Sequence, residues 1–234
     1  MLSIDLHTHS EASFDGRDSV DLILQQADAV GLDAVAITDH DEIRASRKAV
    51  ERATDYGLTV IPGMEVSSAA GHVLSLGIEE KIPPNLSFAE TVSQIRDLGG
   101  LAVVPHPYQE TRSGVLKNVS EDELEIADAI EVYNSRLLTG RANRQARQFA
   151  TERDLPMTAG SDAHVCEMVG QAVTEVDPAE HTIEGIVEEI REGRTRVKGT
   201  RTPWRISFRQ AAGGAKRRVK HRLAGIAAYL APTQ

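Results

Sequence analysis

The sequence contains very little cysteine, with Cys166 the single one among 234 residues. One cysteine cannot form an internal disulfide, and it excludes a structural zinc site built from several thiolates. No apolar run approaches the ~20 residues that a membrane-spanning helix needs. The first residues also lack the basic and apolar regions of a secretion signal. These absences predict a cytoplasmic protein without a membrane span.

Two common catalytic motifs are also missing from the sequence. No Gly-x-x-x-x-Gly-Lys-Ser/Thr loop is present, so the handling of nucleoside triphosphates by a P-loop has no support. No nucleophile elbow places an activated serine between a strand and a helix. Ser161 is expected to be a turn residue beside Asp162. The chemistry must therefore come from other residue types.

Acidic and basic residues are unevenly distributed along the chain. The net charge is −9 at pH 7, yet nearly half of the basic residues lie between Arg191 and Arg222. We predict one domain at residues 1–199 and a basic amphipathic C-terminal helical extension at residues 200–234. The extension could bind RNA or an anionic membrane. We rank packing against the acidic domain first, because its basic cluster, Lys216–Lys220, has no interleaved aromatic residue.

Short apolar runs alternate with stretches of helical periodicity through the predicted domain. This alternation is typical of βαβ units and predicts an α/β fold with a mostly parallel sheet. Because most of the predicted strands are followed by a helix, a (β/α) barrel is favoured over an open sheet. After a first strand near the amino terminus, the predicted strands are 34–37, 59–64, 101–105, 129–133, 155–159, 172–176 and 195–198. Predicted helices follow Ser19, Ser87 and Ser120 as N-caps or cover 42–56, 141–153 and 183–191.

Five of the apolar runs end in residues that can bind metals. These residues are His7 and His9, Asp39 and His40, Glu65, His106, and Asp162 and His164. Residues two apart in a strand point to the same side, so the first and last pairs can each bind one ion. The carboxyl ends of barrel strands meet at one rim. The pattern predicts two or three divalent ions held by imidazole and carboxylate, a ligand set that suits Mn, Zn or Fe.

The motifs resemble those of the polymerase and histidinol phosphatase (PHP) family of metal-dependent phosphoesterases. The matching segments are residues 5–10 (DLHTHS), 38–41 (TDHD), 62–65 (PGME), 71–74 (GHVL), 105–107 (PHP) and 160–164 (GSDAH). The resemblance implies a distorted seven-stranded (β/α) barrel with up to three metals. It assigns His7, His9, Glu65 and Asp162 to the first metal; Glu65, His106 and His72 to the second; and Asp15, His40 and His164 to the third.

Two departures from the family pattern bear on the site. Glu11 is an alternative to Asp15, which we favour because Asp15-Gly16 matches the family motif and the glycine helps the loop to turn back. The segment between Glu65 and His106 is short, so the large insertion of some nucleotide-cleaving relatives is absent. Substrate selection by such an insertion is therefore not expected.

The predicted function is hydrolysis of a small phosphomonoester by a hydroxide bridging two metals that share Glu65. The predicted catalytic residues are Glu65, Asp162 and His164, and the predicted substrate-binding residues are Arg17, Asn134 and Arg136. One alternative is exoribonuclease or 3′,5′-bisphosphonucleoside phosphatase action, with a nucleotide or short RNA as partner. Another is a non-catalytic metal-binding structural module.

Overall fold

The computed structural model describes residues 1–109, 114–137 and 140–201, and these residues form one sheet with helices packed on it. The strands are β1 (Leu2–Thr8), β2 (Ala34–Ile37), β3 (Thr59–Ser67), β4 (His72–Leu76), β5 (Leu101–Val104), β6 (Ala129–Asn134), β7 (Met157–Gly160), β8 (Ala172–Val176) and β9 (Arg196–Gly199). The α-helices are α1 (Val20–Ala29), α2 (Arg44–Arg52), α3 (Phe88–Asp97), α4 (Glu121–Leu124), α5 (Gly140–Glu152) and α6 (Ile183–Arg191), and short 3-10 helices cover Ala53–Tyr56, Val115–Lys117 and Cys166–Met168. No helix among these described residues is long and apolar enough to cross a membrane. The predicted basic extension lies outside the described residues from position 202 onward, so the domain boundary stays a prediction.

The helix N-termini confirm the predicted capping residues. The Ser19 side chain accepts a hydrogen bond from the backbone N–H of Leu22 at the start of α1. Ser87 forms a reciprocal capping box with Glu90 at α3, and Ser120 begins α4 in the same way. These side chains satisfy backbone N–H groups that have no partner within the helix. Local sequence therefore set where these helices begin.

The sheet has nine strands among the described residues rather than the expected seven, in the order β7-β6-β5-β4-β3-β2-β1-β8-β9. The expectation of a mostly parallel sheet is also wrong, because half of the neighbouring pairs are antiparallel: β1–β8, β3–β4, β4–β5 and β8–β9. A loop of four residues, 68–71, joins β3 to β4, and a connection this short cannot carry the chain back to start a parallel strand. No strand was predicted at β4, because its five residues show too little periodicity to be distinguished.

The sheet curves until its two ends nearly meet, which confirms the expected α/β barrel shape. The backbone N–H of His9, just after β1, donates to the carbonyl of Ala163, just after β7, at 2.7 Å. Thr174 on β8 bonds through its hydroxyl to both the N–H and the carbonyl of Ala159 on β7. These contacts bring β7 against β1 and β8, so the carboxyl ends of β1 and β7 lie on one rim.

Strand alternation separates a core inside the barrel from cores under the helices. On β2, Ala34 and Ala36 belong to the inner core, while Val35 and Ile37 pack under the helices. Ile186 and Ile190 of α6 pack against the inner core. The apolar interior is therefore filled, and the polar rim remains as the place for a site.

Candidate metal centre

Two irregularities in strand pairing turn polar side chains toward the barrel interior. On β1, the register with β2 shifts between Asp5 and Thr8. Leu6 packs in the inner core, and the next residue, His7, also faces the interior. On β6, a similar shift between Glu131 and Tyr133 lets residues three apart both reach the site. Bulges of this kind re-aim side chains near functional sites.

All nine residues that the sequence assigned to metal binding lie in one polar cluster at this rim. Glu65 on β3 is at its centre, surrounded by imidazole rings. The distances to its two carboxylate oxygens are 2.7 Å from Nδ1 of His72, 3.2 Å from Nδ1 of His40, 3.3 Å from Nε2 of His9, 3.3 Å from Nε2 of His106 and 3.5 Å from Nε2 of His7. Glu65 is 1% exposed. A shared carboxylate with so many nitrogen neighbours is the arrangement expected of a bridging ligand.

The donor atoms fit divalent metals better than they fit one another. Nε2 of His7 and Nε2 of His9 lie 3.1 Å apart, so two ring nitrogens face each other in a buried space. Nδ1 of His72 and Oε1 of Glu65 have no hydrogen-bond partner of good geometry, and buried polar atoms without partners are rare. Ligand atoms fall into groups within 4.8 Å of one another: His9, Asp15, His40 and His164; His7, His106 and Asp162; His7, His9 and Glu65; and His40, Glu65 and His72. Imidazole nitrogen with carboxylate oxygen is a set that first-row divalent ions accept.

Asp15, rather than the alternative Glu11, reaches this cluster. Oδ2 of Asp15 lies 2.9 Å from Nε2 of His164 and 3.7 Å from Nε2 of His40, and Asp15 is buried, whereas Glu11 is exposed. A Cβ at Gly16 would overlap the carbonyl of Ser10. The loop after β1 can therefore fold back close enough to deliver Asp15 only with glycine at that position.

Electrostatics in the metal-free protein favour the metal-binding form of His9 and Glu65 but the protonated form of His7. Burial lowers the pKa of His9 to about 3, so this ring is neutral. Burial alone would raise the pKa of Glu65, but the surrounding rings, His72 first, hold it well below its usual value. Burial opposes charge on His7 too, yet neighbouring carboxylates, Glu131 first, raise its pKa well above normal. Metal binding would displace that proton.

Two of the predicted ligands have backbone conformations that are uncommon for residues other than glycine. His106 has φ 34° and Asp162 has φ 52°. Such positive φ angles cost conformational energy and are concentrated at functional sites.

Gly160 lies at the end of β7, where this strand approaches β1. A Cβ at Gly160 would overlap the side chain of His7 and lie 2.8 Å from Oε1 of Glu131. The close approach of β7 to β1 therefore requires glycine there.

The three predicted substrate-binding residues occupy different environments. Arg136 lies at the edge of the cluster, with Nη1 3.2 Å from Oδ1 of Asp162 and 2.9 Å from Nε2 of His164. Asn134 is buried, and its amide nitrogen donates to Asp162 at 3.3 Å while its oxygen accepts the backbone N–H of Arg136. Arg17 is exposed in the loop after Asp15. Their roles toward a substrate stay predictions.

Two buried acids support the cluster: Glu131, which was not predicted from the sequence, and Asp39, which was predicted only as a residue that can bind metals. Glu131 accepts a hydrogen bond from Nδ1 of His7 at 3.0 Å. Asp39 accepts from both the backbone N–H and the hydroxyl of Ser10, each at 2.6 Å, and so joins the loops after β1 and β2. An acid within the apolar strand 129–133 was the available signal for Glu131. That signal is weak in sequence, because an exposed edge residue gives the same pattern.

Comparison with known proteins agrees with this architecture. Residues 140–195 match a family model described as PHP-associated. An uncharacterised protein of Methanocaldococcus jannaschii is 33% identical over 168 residues, which cover 68% of this chain and 96% of the relative. A phosphoribosyl 1,2-cyclic phosphate 1,2-diphosphodiesterase of Eggerthella lenta is 38% identical over 85 residues, which are 34% of this chain and 32% of the relative.

A solved structure shares the fold. It is a two-domain protein of Bacteroides vulgatus containing a predicted PHP-like metal-dependent phosphoesterase, with a TM-score of 0.71 at 22% identity. The match covers 85% of this chain and 64% of that one. The relatives in sequence and the shared fold bear out the resemblance seen in the motifs: the chain belongs to the polymerase and histidinol phosphatase (PHP) family of metal-dependent phosphoesterases and is a hydrolase.

Proposed function

We propose that this protein is a metal-dependent phosphatase that hydrolyses a small phosphomonoester with two or three divalent ions. The observation that carries the proposal is the convergence of nine nitrogen and oxygen ligand residues around the buried Glu65. His7, His9, Glu65 and Asp162 would hold the first ion, His72 and His106 with Glu65 the second, and Asp15, His40 and His164 the third. When bound, divalent ions supply Lewis acidity toward phosphoryl oxygens and lower the pKa of water.

The residues of the chain bind and orient in this scheme. Glu65, Asp162 and His164 are the proposed catalytic residues, because each would hold an ion on which the reaction depends. Arg136 is the proposed phosphate ligand, since its side chain is 13% exposed at the rim and its guanidinium can bind two oxygens at once. Asn134 holds the backbone of Arg136 and the carboxylate of Asp162, so it places both groups relative to a bound phosphate.

The runner-up is cleavage of a phosphodiester, including exoribonuclease or bisphosphonucleoside phosphatase action. One observation favours it: the Eggerthella lenta relative is a diphosphodiesterase by name, although the match covers 34% of this chain. A non-catalytic structural module is disfavoured, because such a module can lose ligands and the residue types for all three ions are present here. The metals, the cellular location and any nucleotide partner remain predictions.

A phosphatase screen tests the proposal. Protein loaded with Mn²⁺, Zn²⁺ or Fe²⁺ in parallel is incubated with sugar, amino-alcohol and nucleotide monophosphates, and released phosphate is measured. We expect phosphate release from a monoester, abolished by Asp162→Ala and unchanged by His181→Ala, which alters an exposed histidine outside the cluster. Mononucleotide release from oligoribonucleotides without monoester cleavage would favour the runner-up, and metal-replete protein inert to every substrate would contradict both enzymatic functions.

A further inference from the structure

The carboxylate of Glu131 contacts three parts of the metal centre that are far apart in sequence. Oε1 lies 3.0 Å from Nδ1 of His7, on β1. Oε2 accepts the backbone N–H of His106 at 2.9 Å and the amide N–H of Asn134 at 3.0 Å. Asn134 in turn donates to Asp162. Glu131 is 1% exposed, and its three hydrogen bonds all run to the ligands or to their direct support.

The first of these bonds fixes which nitrogen of His7 is available. A carboxylate only accepts hydrogen bonds, so Nδ1 of His7 must carry the proton that it donates to Oε1. In the neutral ring that would bind a metal, the lone pair is then on Nε2, which faces Nε2 of His9 and the carboxylate of Glu65. A histidine that binds a metal usually donates its second ring N–H to a carboxylate in this way, which orients the ring and increases its basicity.

The second bond holds a strained turn. His106 has φ 34°, and its backbone N–H would lack a partner of equal strength if Glu131 were absent. Leaving a buried N–H without an acceptor destabilises the fold. The bond therefore stabilises the conformation that directs the His106 ring toward Glu65.

We propose that Glu131 is the positioning residue of the metal centre: it sets the metal-binding tautomer of His7 and ties the supports of His106 and Asp162 to that ring. This inference rests on the proposed metal-dependent function. It assigns Glu131 no contact with substrate. Its effect passes through the affinity of the site for metal.

Glu131→Gln tests the proposal because it keeps the size and shape of the side chain and replaces the acceptor that faces Nδ1 of His7 with a donor. The amide oxygen of glutamine would accept from His106 and Asn134, leaving its NH₂ group to face Nδ1 of His7. That ring would then need its proton on Nε2, the nitrogen meant for the metal. We expect Zn²⁺ affinity, measured on the full chain by competition with a chelator, to fall about 10–100-fold. The metal-free variant should keep a melting temperature close to that of the unchanged protein.

Glu175→Gln is the matched control, because Glu175 is also a buried glutamate on a strand but pairs with Lys198. Within the part of the chain that the structure describes, its side chain forms no hydrogen bond or ion pair with the metal cluster. It should leave Zn²⁺ affinity unchanged. Equal affinity in Glu131→Gln and the unchanged protein would overturn the proposal. A parallel loss of metal-free stability and affinity would also overturn it, by making Glu131 a general structural residue.

A second measurement needs no variant. In the Zn²⁺-loaded protein, long-range ¹H–¹⁵N spectra should show a protonated Nδ1 and a metal-bound Nε2 on His7; metal bound through Nδ1 would refute the inference. The outcomes separate the two proposals. Tight Zn²⁺ binding without phosphatase activity would contradict only the proposed function, whereas no Zn²⁺ binding by the unchanged protein would contradict both.

Discussion

Arg136 is a cation placed against two predicted metal ligands, Asp162 and His164, and its guanidinium contacts both. Burial lowers the pKa of His164 and Arg136 lowers it further, whereas burial alone would raise the pKa of Asp162 and Arg136 is the first of the groups that hold it well below its usual value. A permanent positive charge here keeps Asp162 anionic and His164 neutral, which are the forms that bind metals. The same charge faces the rim where a phosphate would enter.

Arg136→Ala is expected to lower kcat/KM for the phosphomonoester about 10–100-fold, because a hydrogen bond to a charged group contributes about 1.5–3 kcal/mol. The loss should be visible mainly in KM if the contact is equally strong in substrate and transition state. Steady-state kinetics on the substrate found in the screen measure it. Arg17→Ala changes the exposed arginine that is also predicted to bind substrate, and it shows whether the loss of kcat/KM is specific to Arg136. An Arg136→Ala enzyme with unchanged kcat/KM would contradict the assignment.

Gly160 shows how one missing side chain can decide the geometry of the centre. In Gly160→Ala the new methyl group would press on His7 and on Glu131. We expect a loss of about 1–3 kcal/mol in the free energy of unfolding, as for other overpacked sites, together with reduced metal content. Denaturant unfolding and elemental analysis measure the two effects.

Gly99→Ala separates these effects. Gly99 has φ 83° with open space around its Cβ position and lies at the end of α3, away from the cluster. Its replacement should destabilise the fold through backbone strain and leave the metal content intact. Equal metal content in both variants would show that Gly160 matters only for folding.

At the level of elements, the first residues of the helices could be predicted from the local sequence, whereas the register of the strands could not. Ser87 and Glu90 satisfy each other's backbone N–H groups whatever the rest of the fold does. The bulges in β1 and β6 depend on which strand lies beside them, so no local sequence pattern predicts them. Strand β4 needs β3 and β5 on either side to exist at all.

The capping box of α3 gives a prediction with a definite pH dependence. Hydrogen bonds from Ser87, first its hydroxyl and then its N–H, lower the pKa of Glu90 below 4.5. A carboxyl whose pKa is lower in the folded state stabilises the fold above its unfolded pKa, and this contribution fades as the pH falls through the folded value. Ser87→Ala should lower the melting temperature at pH 7 by about 2–4 °C.

At a pH well below the folded pKa of Glu90, the difference between Ser87→Ala and the unchanged protein should shrink. Thermal unfolding by circular dichroism at neutral and acidic pH measures it. Glu90→Gln should lose the pH dependence and keep part of the cap. A Ser87→Ala effect that is the same at both pH values would contradict the role of Glu90.

At the scale of the whole molecule, the barrel concentrates buried polar groups on one rim and apolar groups below it. The inner core and α6 close the barrel under the cluster. Without metal, the rim holds several buried rings and carboxylates whose charges must balance among themselves. Metal binding supplies the missing positive charge, so stability and metal occupancy are expected to be linked.

Removal of metal by a chelator should therefore lower the melting temperature. A free metal concentration of 100 times Kd stabilises a protein by about 2.7 kcal/mol per site. For a chain of this size this raises the melting temperature by about 5–10 °C. Adding Zn²⁺ or Mn²⁺ back should restore the value, and His9→Ala should reduce the response. Differential scanning calorimetry makes the comparison; a melting temperature insensitive to chelator in protein shown to contain metal would contradict this linkage.

Sequence alone predicted which histidines and acids gather at the rim and where most elements start. Histidines and acids that directly follow apolar runs must lie at strand ends, and capping serines act on their own helices. Tertiary structure decided the rest: the pairing of nine strands, the bulges that turn His7 and Asn134 inward, and the choice of Asp15 over Glu11. Glu131 belongs to this second group, because a buried acid acquires its role only from the residues that other strands bring to it.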